Sequence, residues 1–106
     1  MPVLFLDDLA QKTPIPGFTG RFVHSEHMTL AYWTVEAGAE LPEHAHPHEQ
    51  VTHMIEGQFT LTIDGETETL GPGCVGMVPS NARHSGKALT PCRIMDVFYP
   101  VREDYR

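Results

Sequence analysis

The sequence predicts an all-β domain, an antiparallel sandwich or barrel, and three observations predict it. Nine glycines and nine prolines punctuate the chain into short segments. Those segments are filled with β-branched and aromatic residues, and no apolar pattern of helical period separates them. Alternation of strands with crossover helices is thereby excluded, because each crossover needs about a dozen residues or more. With 106 residues, 41% of them apolar, there is material for one core, so residues 1–106 are read as a single domain. Residues 1–20 are read as an N-terminal extension and 101–106 as a tail.

In chain order, Asp7 to Lys12 is the one segment that reads as a short helix. Arg21 to His24 and Met28 to Glu36 read as two strands around the polar turn Ser25-Glu26-His27, with Tyr32 and Trp33 on opposite faces. Val51 to Glu56 is a further strand, closed by Gly57. The clearest hairpin joins Gln58–Ile63 to Glu66–Leu70 through Asp64-Gly65, a pair that supplies the positive backbone angles of a type I′ turn. Gly71-Pro72-Gly73 makes a sharp turn. Cys74 to Val78 follows as a short apolar strand ended by Pro79, and Arg93 to Tyr99 is the last strand, ended by Pro100.

Fourteen acidic against seven basic residues give a formal charge of -7. That balance repels phosphate backbones and anionic lipid, so neither nucleic acid nor membrane is an expected partner. A small anionic substrate stays compatible, since a metal and one arginine can dominate the field inside a pocket. No long apolar run is present, and Asp7 and Asp8 stand where a signal peptide would carry cations, so a cytoplasmic protein is expected. Cys74 and Cys92 then read as free, buried thiols.

Five of the seven histidines fall between residues 44 and 84. In an extended segment, residues two apart project to one side, so His44, His46 and Gln50 face one interior point. Imidazoles suit a divalent ion such as zinc, nickel, iron or manganese, and His84, beyond the Pro79-Ser80-Asn81 turn, is the candidate fourth ligand. His48 shares the parity of these residues and is placed at the rim, beside the substrate. His53 has opposite parity and faces outward, while His24 and His27 read as surface polar groups. By composition alone the cluster would be a solvated, proline-interrupted loop; its spacing argues otherwise.

Gly38, His44, His46, position 50 and Gly57 resemble the first cupin motif, G-x5-H-x-H-x3-E-x6-G. Gly73, Pro79 and His84 resemble the second, G-x5-P-x-G-x2-H-x3-N. The resemblance implies a cupin, a jelly-roll barrel or double-stranded β-helix, holding one divalent metal through His44, His46, Gln50 and His84. Three positions depart from the pattern: Gln50 replaces glutamate, Asn81 replaces glycine and Ala88 replaces asparagine. Asn81 tolerates a left-handed backbone. Gln50 leaves the ion its full charge, which favours Lewis-acid over oxygen chemistry.

In the last strand Asp96 and Phe98 share a face, and Arg102 lies just past Pro100. An aspartate within an apolar strand is either one half of an ion pair with Arg102 or a histidine, or an acid/base group. The run His44 to Gln50, followed by Asp96, Phe98 and Arg102, resembles the KdgF-type pectin-degradation cupins. That resemblance implies ring opening and ketonisation of 4,5-unsaturated monouronates from pectin or alginate. It also implies that Asp96 and Arg102 are catalytic and that Phe98 lines the pocket. An iron-dependent dioxygenase and a non-catalytic sugar-binding cupin are the alternatives. A homodimer is expected, formed by adding an N-terminal strand to a neighbour's sheet edge.

Overall fold

The computed structural model describes residues 3–106, and ten strands account for most of them. These are β1 (Lys12–Ile15), β2 (Phe18–His24), β3 (Thr29–Val35), β4 (Glu40–His44), β5 (Glu49–Glu56), β6 (Phe59–Ile63), β7 (Glu66–Leu70), β8 (Val75–Val78), β9 (His84–Ala88) and β10 (Cys92–Tyr99). They form a six-stranded sheet in the order β1-β2-β3-β10-β5-β8 and a four-stranded sheet in the order β4-β9-β6-β7. Every pairing is antiparallel. Among the described residues no helix is long and apolar enough to cross a membrane.

Alternation places the core between the sheets. Strand β2 turns Phe18, Gly20 and Phe22 inward, and β3 turns in Ala31, Trp33 and Val35. Tyr32 faces the other way, as its parity requires. The rings of Phe18 and Phe22 meet Trp33 edge-on at centroid distances of 6.0 and 5.3 Å, an arrangement that aromatic quadrupoles favour. This aromatic cluster adjoins the histidines, for Phe18 and Trp33 line the same cavity as His44 and Gln50.

The turns follow local chemistry. Asp64 and Gly65 have φ of 48° and 84°, as a type I′ hairpin requires, and Asn81 takes the left-handed backbone at φ 65°. Gly57 is constrained twice over. Its φ is 89°, and an added Cβ would collide with the Pro91 carbonyl oxygen and crowd Cys92 Sγ. Gly57→Ala should therefore destabilise the fold by at least about 2 kcal/mol, read as a lower urea midpoint with an unchanged slope; an unaltered midpoint would refute the constraint.

The N-terminal region departs from the sequence reading in three ways. Asp7 to Lys12 is not a helix: a single 3-10 turn spans Leu6–Asp8, and Lys12 opens β1 opposite Gly20. Residues 12–15 and 18–20 belong to the sheet and not to an extension. Strand β1 is exposed along nearly its whole length, so it shows no apolar alternation; as an edge strand it also tolerates Pro14, which has no N–H to donate. The third difference concerns His24, which is half-buried between Thr29 Oγ1 at 2.8 Å and the Tyr105 carbonyl at 3.3 Å, whereas His27 is exposed as read. Both cysteines are free, but only Cys92 is buried; Cys74 is exposed just ahead of β8.

Candidate metal centre and acid/base site

Each histidine reaches the barrel interior from a different structural position. His44 ends β4 and pairs directly with His84, the first residue of β9. His46 lies in the loop that follows, and Gln50 is the second residue of β5, with its side chain inward and 5% exposed. The register of β4 on β9 thus joins residues forty positions apart. One ring nitrogen from each of His44, His46 and His84 lies within 4.8 Å of the others. Their ring centroids are 4.2 Å (His44 to His84), 4.9 Å (His46 to His84) and 5.4 Å (His44 to His46) apart.

Backbone carbonyls fix the tautomers. His44 Nδ1 donates to the Pro42 carbonyl at 2.8 Å, His46 Nδ1 to the His48 carbonyl at 2.9 Å, and His84 Nδ1 to the Ala82 carbonyl at 3.0 Å. With the proton on Nδ1, each Nε2 is left as a bare lone pair. His84 Nε2 is buried with no hydrogen-bond partner. Burial drives the His84 pKa down to about 4, and burial together with the Arg102 charge lowers that of His46, so both rings are neutral near pH 7.

The orientation of Gln50 follows from a directional chain of hydrogen bonds. Asp96 accepts from Trp33 Nε1 at 3.0 Å through Oδ2 and from Thr52 Oγ1 at 2.7 Å through Oδ1. Because the Thr52 hydroxyl donates to Asp96, its lone pairs accept from Gln50 Nε2 at 3.0 Å. The Gln50 Oε1 must then face the histidines, and it lies 3.1 Å from His46 Nε2. Two acceptors at that separation repel unless a positive charge lies between or beside them.

These residues fit a divalent ion. Three imidazoles and one amide oxygen make a borderline donor set for zinc, nickel, iron or manganese, and the orphaned His84 Nε2 is buried polar capacity that an ion would satisfy. Thr52→Val keeps the side-chain shape but removes the hydroxyl that orients Gln50. Its metal affinity should fall by about 10- to 100-fold in a competitive chelator titration; wild-type affinity would show that the amide orients itself.

A small cavity of about 40 Å³ lies beside this centre, walled by His44, Gln50, Thr52, Asp96, Phe98 and Arg102 among others, with room for an ion and little more than water. At Leu41, His44, Arg102 and Tyr105 it adjoins a larger groove of about 330 Å³ that Pro14, Pro42 and Asp104 also line. Asp96 is 8% exposed, and burial pushes its pKa up to about 6 despite the hydrogen bonds from Thr52 and Trp33. Among the described residues it forms no ion pair; its partners are an indole and a hydroxyl.

Arg102 does bend back over the cavity. Its guanidinium sits 4.7 Å from the Phe98 centroid and 4.3 Å from that of Tyr105. Nε and Nη2 donate to the two oxygens of Asp104 at 2.9 and 2.7 Å, and this arginine holds the Asp104 carboxyl below the usual carboxylate range. His48 is turned toward the tail, its Nε2 donating to the Val101 carbonyl at 3.2 Å, and it is not among the residues walling the cavity or the groove. Trp33, Thr52, Asp104 and Tyr105 received no role in the site from the sequence, although Thr52 shares the parity of Gln50.

Residues 31–98 match the Cupin_2 family, described as a cupin domain. The chain belongs to the cupin family. The jelly-roll of this cupin superposes on KdgF from Halomonas sp. with a TM-score of 0.92, at 24% identity, covering 100% of this chain and 99% of that one. An RmlC-like cupin from Shewanella frigidimarina NCIMB 400 gives 0.93 at 26% identity, covering 100% and 96% of the two chains. An L-ectoine synthase from Thermobifida fusca is 33% identical over 78 residues, which is 72% of this cupin and 55% of that protein. The chain thus spans about half the length of that curated relative.

Proposed function

We propose that the protein is a metal-dependent enzyme of the isomerase type that opens and ketonises 4,5-unsaturated monouronates. The observation that carries this reading is one cavity walled by a buried carboxyl, a guanidinium and two members of the ligand set, namely Asp96, Arg102, and His44 with Gln50. Such a substrate is a cyclic enol ether joined to a hemiacetal. Opening it takes a proton from the C1 hydroxyl, releases the ring oxygen as an enolate and delivers a proton to C4.

Bound by His44, His46, Gln50 and His84, a divalent ion supplies Lewis acidity for negative charge developing on substrate oxygens. Asp96 accepts the C1 hydroxyl proton and returns it to C4. A carboxyl whose pKa has been pushed up to about 6 exchanges protons readily near neutrality. The Trp33 and Thr52 donors hold its two oxygens in place during that exchange. Arg102 recognises the substrate carboxylate, with Phe98 and Tyr105 bracketing the guanidinium so that it keeps one orientation. Because two of its nitrogens already engage Asp104, the incoming carboxylate takes Nη1 or displaces that side chain. No oxidant enters this scheme, in keeping with a neutral ligand at position 50. The fold shared with KdgF supports a cupin enzyme.

The test is direct. The purified protein, loaded with zinc or nickel and kept anaerobic, is incubated with the products of a pectate or alginate lyase, and absorbance of the conjugated double bond is followed. Accelerated loss of that absorbance is expected. A rate equal to the protein-free control, or activity that appears only with iron and consumes oxygen, would overturn the proposal.

A further inference from the structure

The tail of the chain seats one of its own carboxylates on the arginine beside the metal centre. Nε and Nη2 of Arg102 grip the two oxygens of Asp104 at 2.9 and 2.7 Å, the fork geometry in which a guanidinium takes any carboxylate. Asp104 also lines the groove of about 330 Å³ that His44 and Arg102 line, so it stands on the path by which a carboxylate ligand would enter. The arginine does not depend on this grip for its place. Its backbone N–H donates to Thr29 Oγ1 at 2.8 Å, and its guanidinium packs on the rings of Phe98 and Tyr105. An aspartate that is not needed to position Arg102, yet fills its fork, is a stand-in for a ligand.

The pair is asymmetric, and the asymmetry says which partner moves. The Arg102 side chain is 9% exposed and that of Asp104 58%. On either side of Asp104 the chain is anchored. Arg102 is tied to Thr29, the Tyr105 ring lies 4.7 Å from that of Phe22, and the Tyr105 carbonyl accepts from His24 Nε2 at 3.3 Å. Asp104 can therefore release the fork by rotating its own side chain into water, with the turn at Glu103–Tyr105 left in place. The exchange conserves hydrogen bonds, because one carboxylate replaces another on the same two donors. A ligand that bound while Asp104 stayed would instead set two like charges against one guanidinium, which is unfavourable at short range.

We propose that Asp104 is a built-in competitor for the carboxylate seat on Arg102, holding the fork in the empty protein and rotating out when the carboxylate of a sugar acid takes it. The inference rests on the reading above in taking that ligand to be a uronate. Its consequence is a threshold for binding. If the clasp leaves roughly one guanidinium in ten free, the apparent affinity of every carboxylate falls about tenfold. A simple monocarboxylate only exchanges places with a tethered rival and stays unbound at ordinary concentrations. A uronate has a second point of attachment at the metal centre and clears the threshold.

Calorimetric titration of the zinc-loaded protein with galacturonate, a saturated uronate that has no enol ether to open, tests this without turnover. Asp104→Ala should bind galacturonate about tenfold more tightly than wild type. Galactose, which lacks the carboxylate, should gain nothing from the same change. Glu103→Gln removes an equal charge from the same turn but pairs with Arg106 and not Arg102, so it should bind as wild type does. Because Asp104 is more than half exposed, Asp104→Ala should keep wild-type circular dichroism and zinc content. Binding by Asp104→Ala that is equal to wild type, or weaker, would overturn the inference, weaker binding meaning that Asp104 holds the guanidinium in place. An equal gain in Glu103→Gln would also overturn it, since net charge alone would then suffice. A tenfold gain in a protein that leaves lyase products unchanged would refute the ring-opening reading and uphold the competitor.

Discussion

Replacing His84 with alanine should leave a folded chain that no longer retains a divalent ion, with affinity reduced by more than about 100-fold. His84 is 1% exposed, its Nδ1 is committed to the Ala82 carbonyl, and its Nε2 has no partner within the protein. The substitution removes one of four donors and opens a space that water can enter but that cannot bind a cation. In metal-free protein the change should be mild, because loss of packing is offset by relief of a buried nitrogen that had no hydrogen bond. His27→Ala, at an exposed position, serves as the control and should bind like wild type. Elemental analysis after dialysis reads the outcome, and equal metal content in His84→Ala and wild type would remove His84 from the ligand set.

Asp96→Asn should lower turnover by about 100- to 10,000-fold while metal content stays within twofold of wild type. An asparagine offers one acceptor where the carboxylate offers two, so its amino group must confront either the Trp33 N–H or the Thr52 hydroxyl. Stability against pH provides a second readout in the metal-free protein. The folded pKa of Asp96, about 6, lies above its ordinary 3.8, so the native state binds more protons than the unfolded chain and loses about 3 kcal/mol as pH rises from about 4 to 6. For His84, with a folded pKa of about 4 against 6.5, the native state binds fewer protons, and stability grows by a similar amount over nearly the same interval. The two effects nearly cancel in wild type; His46, also lowered, adds a further rise. Asp96→Asn removes only the falling contribution, so its stability should climb steeply between pH 4 and 6.5. Parallel wild-type and variant profiles would mean that Asp96 is ionised throughout.

Local chemistry was legible in the residues themselves. His44, His46 and Gln50 lie within seven positions of one another, close enough to meet, although they do so from the end of β4, the loop after it and the start of β5 and not by parity along one strand. The Asp64-Gly65 hairpin and the left-handed Asn81 depend on the backbone preferences of single residues, and both stand as read. The all-β class followed from punctuation and alternation, which are likewise local. Strand β1 escaped because an edge strand exposed on both faces has no alternation to read. Strand β9, His84–Ala88, gave no apolar pattern either, since its inward positions are a histidine and small residues.

What only the tertiary structure decided is pairing between distant segments. Asp96 receives its hydrogen bonds from residues 63 and 44 positions away, and nothing near it in the chain announces an indole or a hydroxyl. The clasp of Arg102 by Asp104, Phe98 and Tyr105 forms because a 3-10 turn at Glu103–Tyr105 folds the tail over the barrel mouth. Alternation says which side chains share a face of one strand, but it does not say which strands lie side by side. Register is set by the balance of contacts across the whole sheet, and that balance determines the surroundings of every residue this site uses.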